Sequence, residues 1–541
     1  MKRITSILVF LAAVTVASVS CTQKTEDYSD LQGKYAPSIT MDPIYVMLPG
    51  TSMALTVKAE SVDDAVSGTP MKVSFTVNPD LVTTYNNAHD SSGVLFPAEA
   101  YDLDGGEAII PRFGRASSSV SLKISCSGME EDQLYVLPVV IDKFSGEGIA
   151  STDDASAVYV LMRKAHVEPG KGSGTKDDPW IISEVDDLKD MSLKLIEDQT
   201  VYFKMTKDID ASEIENWLPL NSASPYKLKV DFNGNGHKIS NLTSKSTQYP
   251  SMFGVLYGSV YDLTFENAYM EGSSAAGVVG GYLGTGSLGC TVTNVHATGS
   301  TVVCTGANGA GGLGGRASQA TIEKCSFEGT VSAPKKNYIG GLLGYDAGDG
   351  VVISNCYTSG SVTASQRAGG IVGGFIKAKA AMYNCYSTMT VMADFGIGGI
   401  AGHCCLDMKS GNADVAKPGN VFEHCIAWND KVAANTVGDD STFSHYSVGA
   451  IVGYNSIYNT CTGCVRKPDL NFASYSNQEV LCDQPDASES APQSVGVSAS
   501  YSYPYHGKAA AAGKTLSTVA RELGWPADVW DLSGDVPVFK K

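Results

Sequence analysis

Short apolar stretches alternate with polar turns along most of this chain. In the second half, apolar residues recur with a period of two, as in residues 351–353 and 361–363, and Gly, Asn and Ser separate the runs. This alternation is typical of half-buried β-strands, whereas an amphipathic helix needs a period of about 3.6. The pattern therefore predicts an all-β chain of many short strands. Residues 516–523 are predicted as the only clear helix after the first 20 residues.

A phrase of two glycines, one or two apolar residues and a further glycine recurs at a fixed step. Its second glycine is Gly312, Gly341, Gly370 or Gly399, so the step is 29 residues, as from position 312 to 341. A weaker copy surrounds Gly277, and a later copy occupies residues 448–453. A fixed period of this size indicates stacked structural repeats. Doubled glycines suit a sharp backbone turn or a very close approach of the next coil.

A second phrase, centred on a cysteine, runs in step with the first. Its cysteines are Cys325, Cys356, Cys385, Cys425 and Cys464. In a parallel stack they would form an inward ladder with neighbours about 4.8 Å apart, and a free thiol is a small apolar core residue. Disulfides are possible in an exported chain.

A metal site is the remaining alternative for the cysteines, and its ligands would come from His403, Cys404, Cys405, Cys461 and Cys464. The Cys461-x-x-Cys464 spacing is typical of zinc sites, but Cys464 already belongs to the ladder. The interior thiol stack is the preferred interpretation, so the sequence predicts no metal and no cofactor.

These repeats predict that residues 178–475 form a right-handed parallel β-helix, because a stack can bury the apolar face that a single repeat cannot. Residues 165–177 are predicted as a linker. Residues 36–164 are predicted as a separate Ig-like β-sandwich of about seven short strands. Its candidate strands are residues 38–40, 53–57, 71–77, 120–124, 135–141 and 157–161.

Residues 476–541 are predicted as a loop followed by a C-terminal cap. The segment contains the predicted helix, then Trp525, Pro526 and Trp530. A solenoid needs a terminal element over its last coil, and a tryptophan-rich finish with proline suits that role. The alternative is that the two tryptophans stack on a sugar.

The N-terminus is typical of an export signal. A basic start is followed by an apolar stretch over residues 4–19 that is too short for a permanent membrane span. Small residues precede Cys21, which predicts a lipoprotein signal over residues 1–20, acylation of Cys21 and a polar tether over residues 21–35. The alternative is an ordinary secretory signal in which Cys21 is incidental.

The glycine and cysteine phrases resemble the GLUG-type repeat of bacterial surface proteins, which also lies beside some immunoglobulin-cleaving metallopeptidases. Residues 172–183, 206–210 and 232–239 are similar to the usual entry to such an array. The resemblance covers roughly residues 170–541 and implies a solenoid. No His-Glu-x-x-His sequence exists in the chain, so the zinc chemistry of the peptidases is not implied.

The predicted sandwich resembles an N-terminal domain of unknown function found in outer-membrane lipoproteins of polysaccharide-utilisation systems. The matching stretches are residues 78–80, 101–103 and 137–139. In that family the domain is a spacer just outside the anchor. An early acidic pair, Glu26 and Asp27, resembles the signal that sends some lipoproteins to the outer face of the outer membrane.

Composition and motifs narrow the chemistry. The chain has 39 Lys and Arg against 57 Asp and Glu, a net charge of −18, which disfavours nucleic acid as a partner. No nucleophile elbow and no phosphate-binding loop is present, so no catalytic residue and no enzymatic activity is predicted. Arg316 and Arg367 are candidates, by residue type alone, for the base of a β-helix polysaccharide lyase.

The predicted ligand contacts lie where the repeat is interrupted. After Gly399 the next copy of the phrase waits until Ala450, and the excess lies within residues 404–420, 427–446 or both. Insertions in solenoids emerge as loops, and aromatic loop tips suit sugars or a protein partner. The predicted contacts are Trp428, Tyr446, Tyr501 and Tyr503. The alternative is that these loops shield a coil edge.

The combined expectation is a surface-exposed lipoprotein, anchored to outer-membrane lipid through Cys21, that binds a glycan or a host or surface protein as an adhesin. Two alternatives remain open from the sequence. One is a β-helix carbohydrate-active enzyme, either a lyase or a glycosidase. The other is a structural stalk in a surface assembly.

Overall fold

The structure is a computed structural model. It describes residues 34–39, 45–47, 52–62, 66–103, 107–131, 133–145, 149–150, 157–165, 170–196, 199–222, 228–286, 288–306, 308–377, 379–404, 419–434, 448–455, 459–473 and 503–540. The chain divides into two compact units, residues 1–165 and residues 166–541. The predicted signal, Cys21 and nearly all of the tether lie outside the described residues. None of the described helices combines the length and the apolar character that crossing a membrane requires.

The first unit is a sandwich of two β-sheets. Its strands are β1 (Lys34–Ile39), β2 (Tyr45–Met47), β3 (Ser52–Ser61), β4 (Met71–Val77), β5 (Val94–Leu95), β6 (Tyr101–Leu103), β7 (Ala108–Ile110), β8 (Val120–Ser125), β9 (Tyr135–Ser145), β10 (Ile149–Ala150) and β11 (Val158–Lys164). One sheet has the order β10-β1-β3-β8-β6 and the other β2-β11-β9-β4-β7, with β5 beside β9. The predicted all-β sandwich is confirmed.

Alternating burial explains why these segments form a sandwich. In β4 the apolar residues Met71, Val73 and Phe75 are buried and the polar residues between them are more exposed. Val57 of the first sheet and Val73 of the second belong to one apolar cluster. Each strand therefore turns one face to a shared core, as the period of two predicts.

The expectation of a single helix was wrong. The helices are α1 (Leu81–His89), α2 (Val185–Lys189), α3 (Met191–Lys194) and α4 (Leu516–Glu522), with a 3₁₀ turn at Ala98–Ala100. Only α4 was predicted. Leu81 is the only fully buried residue of α1, so that helix lacks a periodic apolar stripe, and α2 and α3 are too short to show one.

The second unit is a parallel β-solenoid, as predicted. Its first strands are β12 (Trp180–Ile182), β13 (Thr200–Met205), β14 (Ile209–Asp210), β15 (Lys229–Asn233), β16 (Lys238–Ser240), β17 (Thr243–Ser246), β18 (Phe253–Leu256), β19 (Gly258–Glu266), β20 (Tyr269–Gly272), β21 (Gly280–Leu283), β22 (Cys290–Cys304), β23 (Ala310–Gly311), β24 (Gly314–Ala317), β25 (Ala320–Glu323), β26 (Ser326–Gly340), β27 (Leu343–Asp346), β28 (Val352–Ser354) and β29 (Tyr357–Gly369).

The later strands continue the same stack. They are β30 (Val372–Gly374), β31 (Ala381–Tyr383), β32 (Tyr386–Ser387), β33 (Thr390–Ala393), β34 (Phe395–Gly398), β35 (Ala401–Cys404), β36 (Val421–Glu423), β37 (Ile426–Ala427), β38 (Lys431–Ala434), β39 (Val448–Gly449), β40 (Val452–Asn455), β41 (Thr460–Thr462), β42 (Val465–Arg466), β43 (Asn471–Ala473), β44 (Tyr503–Tyr505), β45 (Lys508–Ala509), β46 (Trp530–Asp531) and β47 (Val538–Phe539).

Two sheets wrap around the solenoid. One has 26 strands, and the other has eight in the order β18-β21-β24-β27-β30-β35-β40-β44. Strands of successive coils pair in parallel, except that β44 is antiparallel to β40. Register also locates the interruption of the repeat, because Tyr383 pairs with Glu423 and Ile397 pairs with Val448. The first step is 40 residues and the second is 51, so the excess is divided between both predicted insertions.

The second glycine of each phrase lies where coils approach most closely. A Cβ added to Gly370 would overlap the carbonyl oxygen of Gly399 in the next coil, and the same holds for Gly341 against Gly370. Close approach, rather than a left-handed backbone, therefore explains this glycine. In the last copy Ala450 takes its place.

The repeated cysteines form the predicted interior ladder. All five are free thiols buried in the solenoid. The backbone N–H of Cys325 lies 3.4 Å from the sulfur of Cys356, and that of Cys356 lies 3.4 Å from the sulfur of Cys385. Burial holds the pKa of the Cys356 thiol well above its usual value, so the thiol stays protonated.

The residue before each ladder cysteine turns the chain into the interior. These residues are Lys324, Asn355, Asn384, His424 and Gly463, with φ between 51° and 60°. Such a left-handed conformation is tolerated best by Gly and Asn, which explains the recurring Asn-Cys pair.

The C-terminal segment packs as a cover, but along the side of the solenoid. Strands β44 and β45 lie on the last coil, whereas Trp530 donates from Nε1 to Asn355 Oδ1 at 3.3 Å. The Phe539 ring lies 5.1 Å from that of His296, several coils earlier. Trp525 and Trp530 are both buried, so packing rather than an exposed sugar platform explains them.

Candidate functional site

One column of the eight-stranded sheet faces outward with rings and a guanidinium group. Tyr282, Arg316 and Tyr345 occupy equivalent positions in β21, β24 and β27, because Tyr282 pairs with Arg316 and Arg316 pairs with Tyr345. Each is the one partly exposed residue of an otherwise buried strand. The column continues through Gly374 to His403. With strands about 4.8 Å apart, it runs about 19 Å from Tyr282 to His403.

A second pair of side chains reaches this column from the neighbouring corner of the coil. The corner position lies two residues before the first glycine of each phrase. Its occupants are Gly309, Tyr338, Arg367 and Gly396, with φ of 94°, 63°, 63° and 66°. A left-handed backbone costs a residue with a Cβ about 1–2 kcal/mol. Two successive central coils therefore hold a large side chain where the flanking coils use glycine.

The corner residues and the column form one connected set. The Arg367 guanidinium carbon lies 4.6 Å from the centre of the Tyr338 ring, and Arg367 Nη1 donates to the Tyr338 hydroxyl at 2.6 Å. The Tyr338 and Tyr345 rings are 4.9 Å apart, and the Arg316 guanidinium carbon lies 5.6 Å from the Tyr345 ring centre. We call Tyr282, Arg316, Tyr345, Tyr338 and Arg367 the tyrosine–arginine stripe.

Gly374 makes room for this arrangement. It follows Tyr345 in the column, and a Cβ added there would lie 2.8 Å from Cδ1 of Tyr338. The Tyr338 ring therefore lies over the gap that the missing side chain leaves. His403 closes the set beyond it, with its ring edge-on to Tyr338 at 5.9 Å.

The electrostatics of the stripe are set by burial and by its arginines. Burial raises the pKa of Tyr282 and of Tyr345, so both phenols stay neutral. Burial and the neighbouring Arg367 lower the pKa of His403 to about 3, so its imidazole is uncharged at neutral pH. The permanent charges of the stripe are therefore the guanidinium groups of Arg316 and Arg367.

The stripe presents chemistry for binding. Exposed tyrosine rings offer flat apolar surface with a polar edge, and arginine offers several donors in a fixed plane. Arg316 uses Nε and Nη2 on the carbonyl oxygen of Asn308, at 3.3 and 3.2 Å. These contacts fix the side chain while the remaining donors face away from that oxygen.

The sequence-predicted ligand contacts are not brought together by the described residues. Trp428 is half-buried and packs against the cluster formed by α4, Trp525 and Trp530. Strand β44 places the backbone of Tyr503 in the same sheet as the stripe, beside β40. Tyr446, Tyr501 and the side chain of Tyr503 lie outside the described residues. A ligand role for these four residues stays a prediction.

The two arginines singled out by residue type are, by contrast, close neighbours on the solenoid, linked through Tyr338 and Tyr345. The alternative metal site has no counterpart in the part of the chain that the structure describes, where no group of three or more His, Cys, Asp and Glu is placed to hold a metal. Cys405, one of its predicted ligands, lies outside those residues.

Comparison with known families supports the division of the chain. A family described as an N-terminal domain matches residues 38–148, and the GLUG motif matches residues 306–332. The chain therefore carries a GLUG motif within its solenoid. Halomucin of Haloquadratum walsbyi is 33% identical over 163 residues, which are 28% of this chain and 2% of halomucin. The chain thus spans a very small part of the curated relative that it matches.

Three solved structures are similar in part. A candidate immunoglobulin A1 protease from Bacteroides ovatus is 23% identical, with 69% of this chain and 95% of that chain covered and a TM-score of 0.45. A candidate carbohydrate-binding protein from Bacteroides ovatus is 13% identical, with 25% and 36% covered and a TM-score of 0.20. EndoBT-3987 of Bacteroides thetaiotamicron, bound to Man5GlcNAc product, is 16% identical, with 38% and 53% covered and a TM-score of 0.22.

Proposed function

We propose that this protein is a surface lipoprotein that binds glycans along the tyrosine–arginine stripe of its solenoid. The single observation that carries the proposal is the corner position. Tyr338 and Arg367 stand there with positive φ, whereas Gly309 and Gly396 occupy the same position in the flanking coils. Backbone strain of this kind persists where the side chain has a use that outweighs its cost.

The geometry of the stripe supports a glycan rather than a compact ligand. The outward residues follow one another from coil to coil, so the surface is long and open. A sugar ring presents an apolar face to an aromatic ring and hydroxyl groups to the polar groups around it. Tyr282 and Tyr345 provide two such rings on either side of Arg316. An extended chain lying across the coils would meet rings and donors in turn.

The surface location rests on the N-terminal sequence. The basic start, the short apolar stretch and the small residues before Cys21 support export and lipid attachment at that cysteine. The acidic pair after Cys21 supports display on the outer face of the outer membrane. The sandwich would then act as a spacer between the anchor and the glycan-binding solenoid.

A glycan panel tests the proposal. The protein without residues 1–20 is incubated with immobilised polysaccharides, and retention is compared with that of Tyr345→Ala and Tyr338→Ala. Tyr383→Ala is the matched control, because Tyr383 is a half-buried tyrosine on the 26-stranded sheet, paired with Ser354 and Glu423. The proposal expects retention of at least one polysaccharide, loss of it in both stripe variants and full retention in the control.

Two outcomes would contradict the proposal. Equal retention of the stripe variants and the wild type would place the binding surface elsewhere on the chain. Release of unsaturated or reducing ends from the retained polysaccharide would show that the protein is an enzyme rather than a binding module.

A further inference from the structure

The tyrosine–arginine stripe lies in a cationic part of a strongly acidic chain. The chain as a whole carries −18. The stripe contributes Arg316 and Arg367, and Lys335 and Lys336 lie on the segment of β26 that leads to Tyr338. One coil further along the same corner stands Asp394, whose backbone N–H bonds to the carbonyl oxygen of Ser365 at 2.6 Å. Four cationic side chains therefore stand against one carboxylate at this place.

The column itself contains no charged carboxylate at neutral pH. Its described members from β21 to β35 are Tyr282, Arg316, Tyr345, Gly374 and His403. The acidic residue of β27 is Asp346, which is fully buried and faces the interior. Its carboxylate accepts hydrogen bonds from the backbone N–H groups of Ile376 and Lys377, yet burial raises its pKa to about 8. Asp346 is therefore mostly protonated at neutral pH.

The two guanidinium groups are held in place but are not neutralised. Arg316 bonds to a carbonyl oxygen and Arg367 to a phenol, and neither partner carries a charge. Among the described residues, Arg367 Nε is buried and has no hydrogen-bond partner. A buried donor without a partner is costly, and a charged acceptor would satisfy it best. Both arginines thus keep their charge and spare donors beside tyrosine rings.

We propose, resting on the glycan-binding function above, that the stripe selects anionic glycans, whose carboxylate or sulfate groups bind Arg316 and Arg367 while their rings lie on Tyr338 and Tyr345. Arginine pairs with a carboxylate or sulfate through two parallel hydrogen bonds, which adds orientation to attraction. The acidic remainder of the protein repels polyanions, so binding is confined to this surface.

Two matched pairs of polymers test the inference with the wild-type protein. Polygalacturonate is compared with its methyl-esterified form, and dextran sulfate with dextran, so that carboxylate and sulfate are distinguished from the neutral backbone in each pair. The inference expects tighter binding, by about tenfold or more, of at least one charged polymer over its neutral partner. Raised salt should weaken that binding, because screening acts on exposed charge pairs.

Arginine variants separate this inference from the proposed function. Arg316→Gln and Arg367→Gln should each lose most of the preference for the charged polymer, while Lys204→Gln, on β13 of the other sheet, should keep it. Thermal unfolding of each variant checks that the solenoid is intact. Equal binding of charged and neutral polymers would overturn the anionic preference and leave glycan binding standing. Retention of no polymer, here or in the panel, would overturn both.

Discussion

Replacing Gly370 with alanine should destabilise the solenoid strongly, because the added methyl group has no space between coils. The Cβ would overlap the carbonyl oxygen of Gly399 and would lie 2.8 Å from Cβ of Ser387. Non-bonded carbon atoms are comfortable at about 3.5–4.0 Å, so the coils would have to separate by roughly 1 Å. Both neighbours resist that movement, since one is backbone of the next coil and the other is fully buried.

The magnitude follows from what the separation would disturb. Overpacking a core costs about 1–3 kcal/mol. The Thr358 hydroxyl donates to the carbonyl oxygen of Gly370 at 2.7 Å and to Ser387 Oγ at 3.0 Å. Each of these buried bonds contributes about 1 kcal/mol. The expected loss in the free energy of unfolding is therefore about 3–5 kcal/mol.

Urea unfolding followed by circular dichroism measures this loss, with two matched controls. Gly534→Ala adds a methyl group whose nearest neighbour is the carbonyl oxygen of Val536 at 3.9 Å, so a change of about 0.5 kcal/mol or less is expected. Ala450→Gly changes the equivalent position of the last coil and should cost only about 0.5–1 kcal/mol. If Gly370→Ala is no worse than these controls, close coil packing does not explain the repeated glycine.

Three further predictions address the ladder, the buried carboxyl and the anchor. Native Cys356 should resist alkylation and react after denaturation, and Cys356→Asp should cost several kcal/mol, because it buries a charge without a partner; rapid native alkylation would contradict this. Folded Asp346 keeps its proton up to a pKa of about 8, against an ordinary 3.8, so its contribution to stability falls as pH rises between these values. Asp346→Asn should remove that fall, and parallel pH profiles of the two unfolding free energies would refute it. Cys21→Ala should abolish palmitate labelling and membrane association, and undiminished labelling would exclude Cys21 as the lipid site.

Repetition made the solenoid predictable from the sequence. A step of 29 residues between doubled glycines fixes both the stacking and the interior position of the cysteines, because equivalent residues of successive coils must face the same way. Even the substitution of Ala450 in the last copy agrees with the structure, since no further parallel coil follows it there. Strands such as β4 were predicted to the residue because their apolar positions alternate.

The candidate site was less predictable, because its members come from two positions of the repeat. Arg316 and Tyr345 lie after the doubled glycines, and Tyr338 and Arg367 lie before them. One sequence signal was present: Tyr338 and Arg367 interrupt a position that is glycine at 309 and 396, but the interruption becomes visible only once the backbone is known to be left-handed there. Helix α1 was missed for a different reason, because only one of its residues is buried.

The lateral course of the C-terminal segment also lay beyond sequence reasoning. Its tryptophans indicated packing, but their partners are set by side chains from distant coils. Trp525 donates to the carbonyl oxygen of His424 at 3.0 Å and the Tyr386 hydroxyl donates to that of Pro537 at 2.9 Å. Such contacts between residues more than 100 positions apart have no periodic signature.

Footprinting of the bound complex tests the central claim most directly. Hydroxyl-radical labelling, read by mass spectrometry, is compared for the free protein and for the protein saturated with a polysaccharide that it retains. The account predicts protection of Tyr282, Tyr338 and Tyr345, with Tyr383 on the other sheet labelled equally in both states. Protection at Trp428 or elsewhere, with the three stripe tyrosines unchanged, would contradict the account.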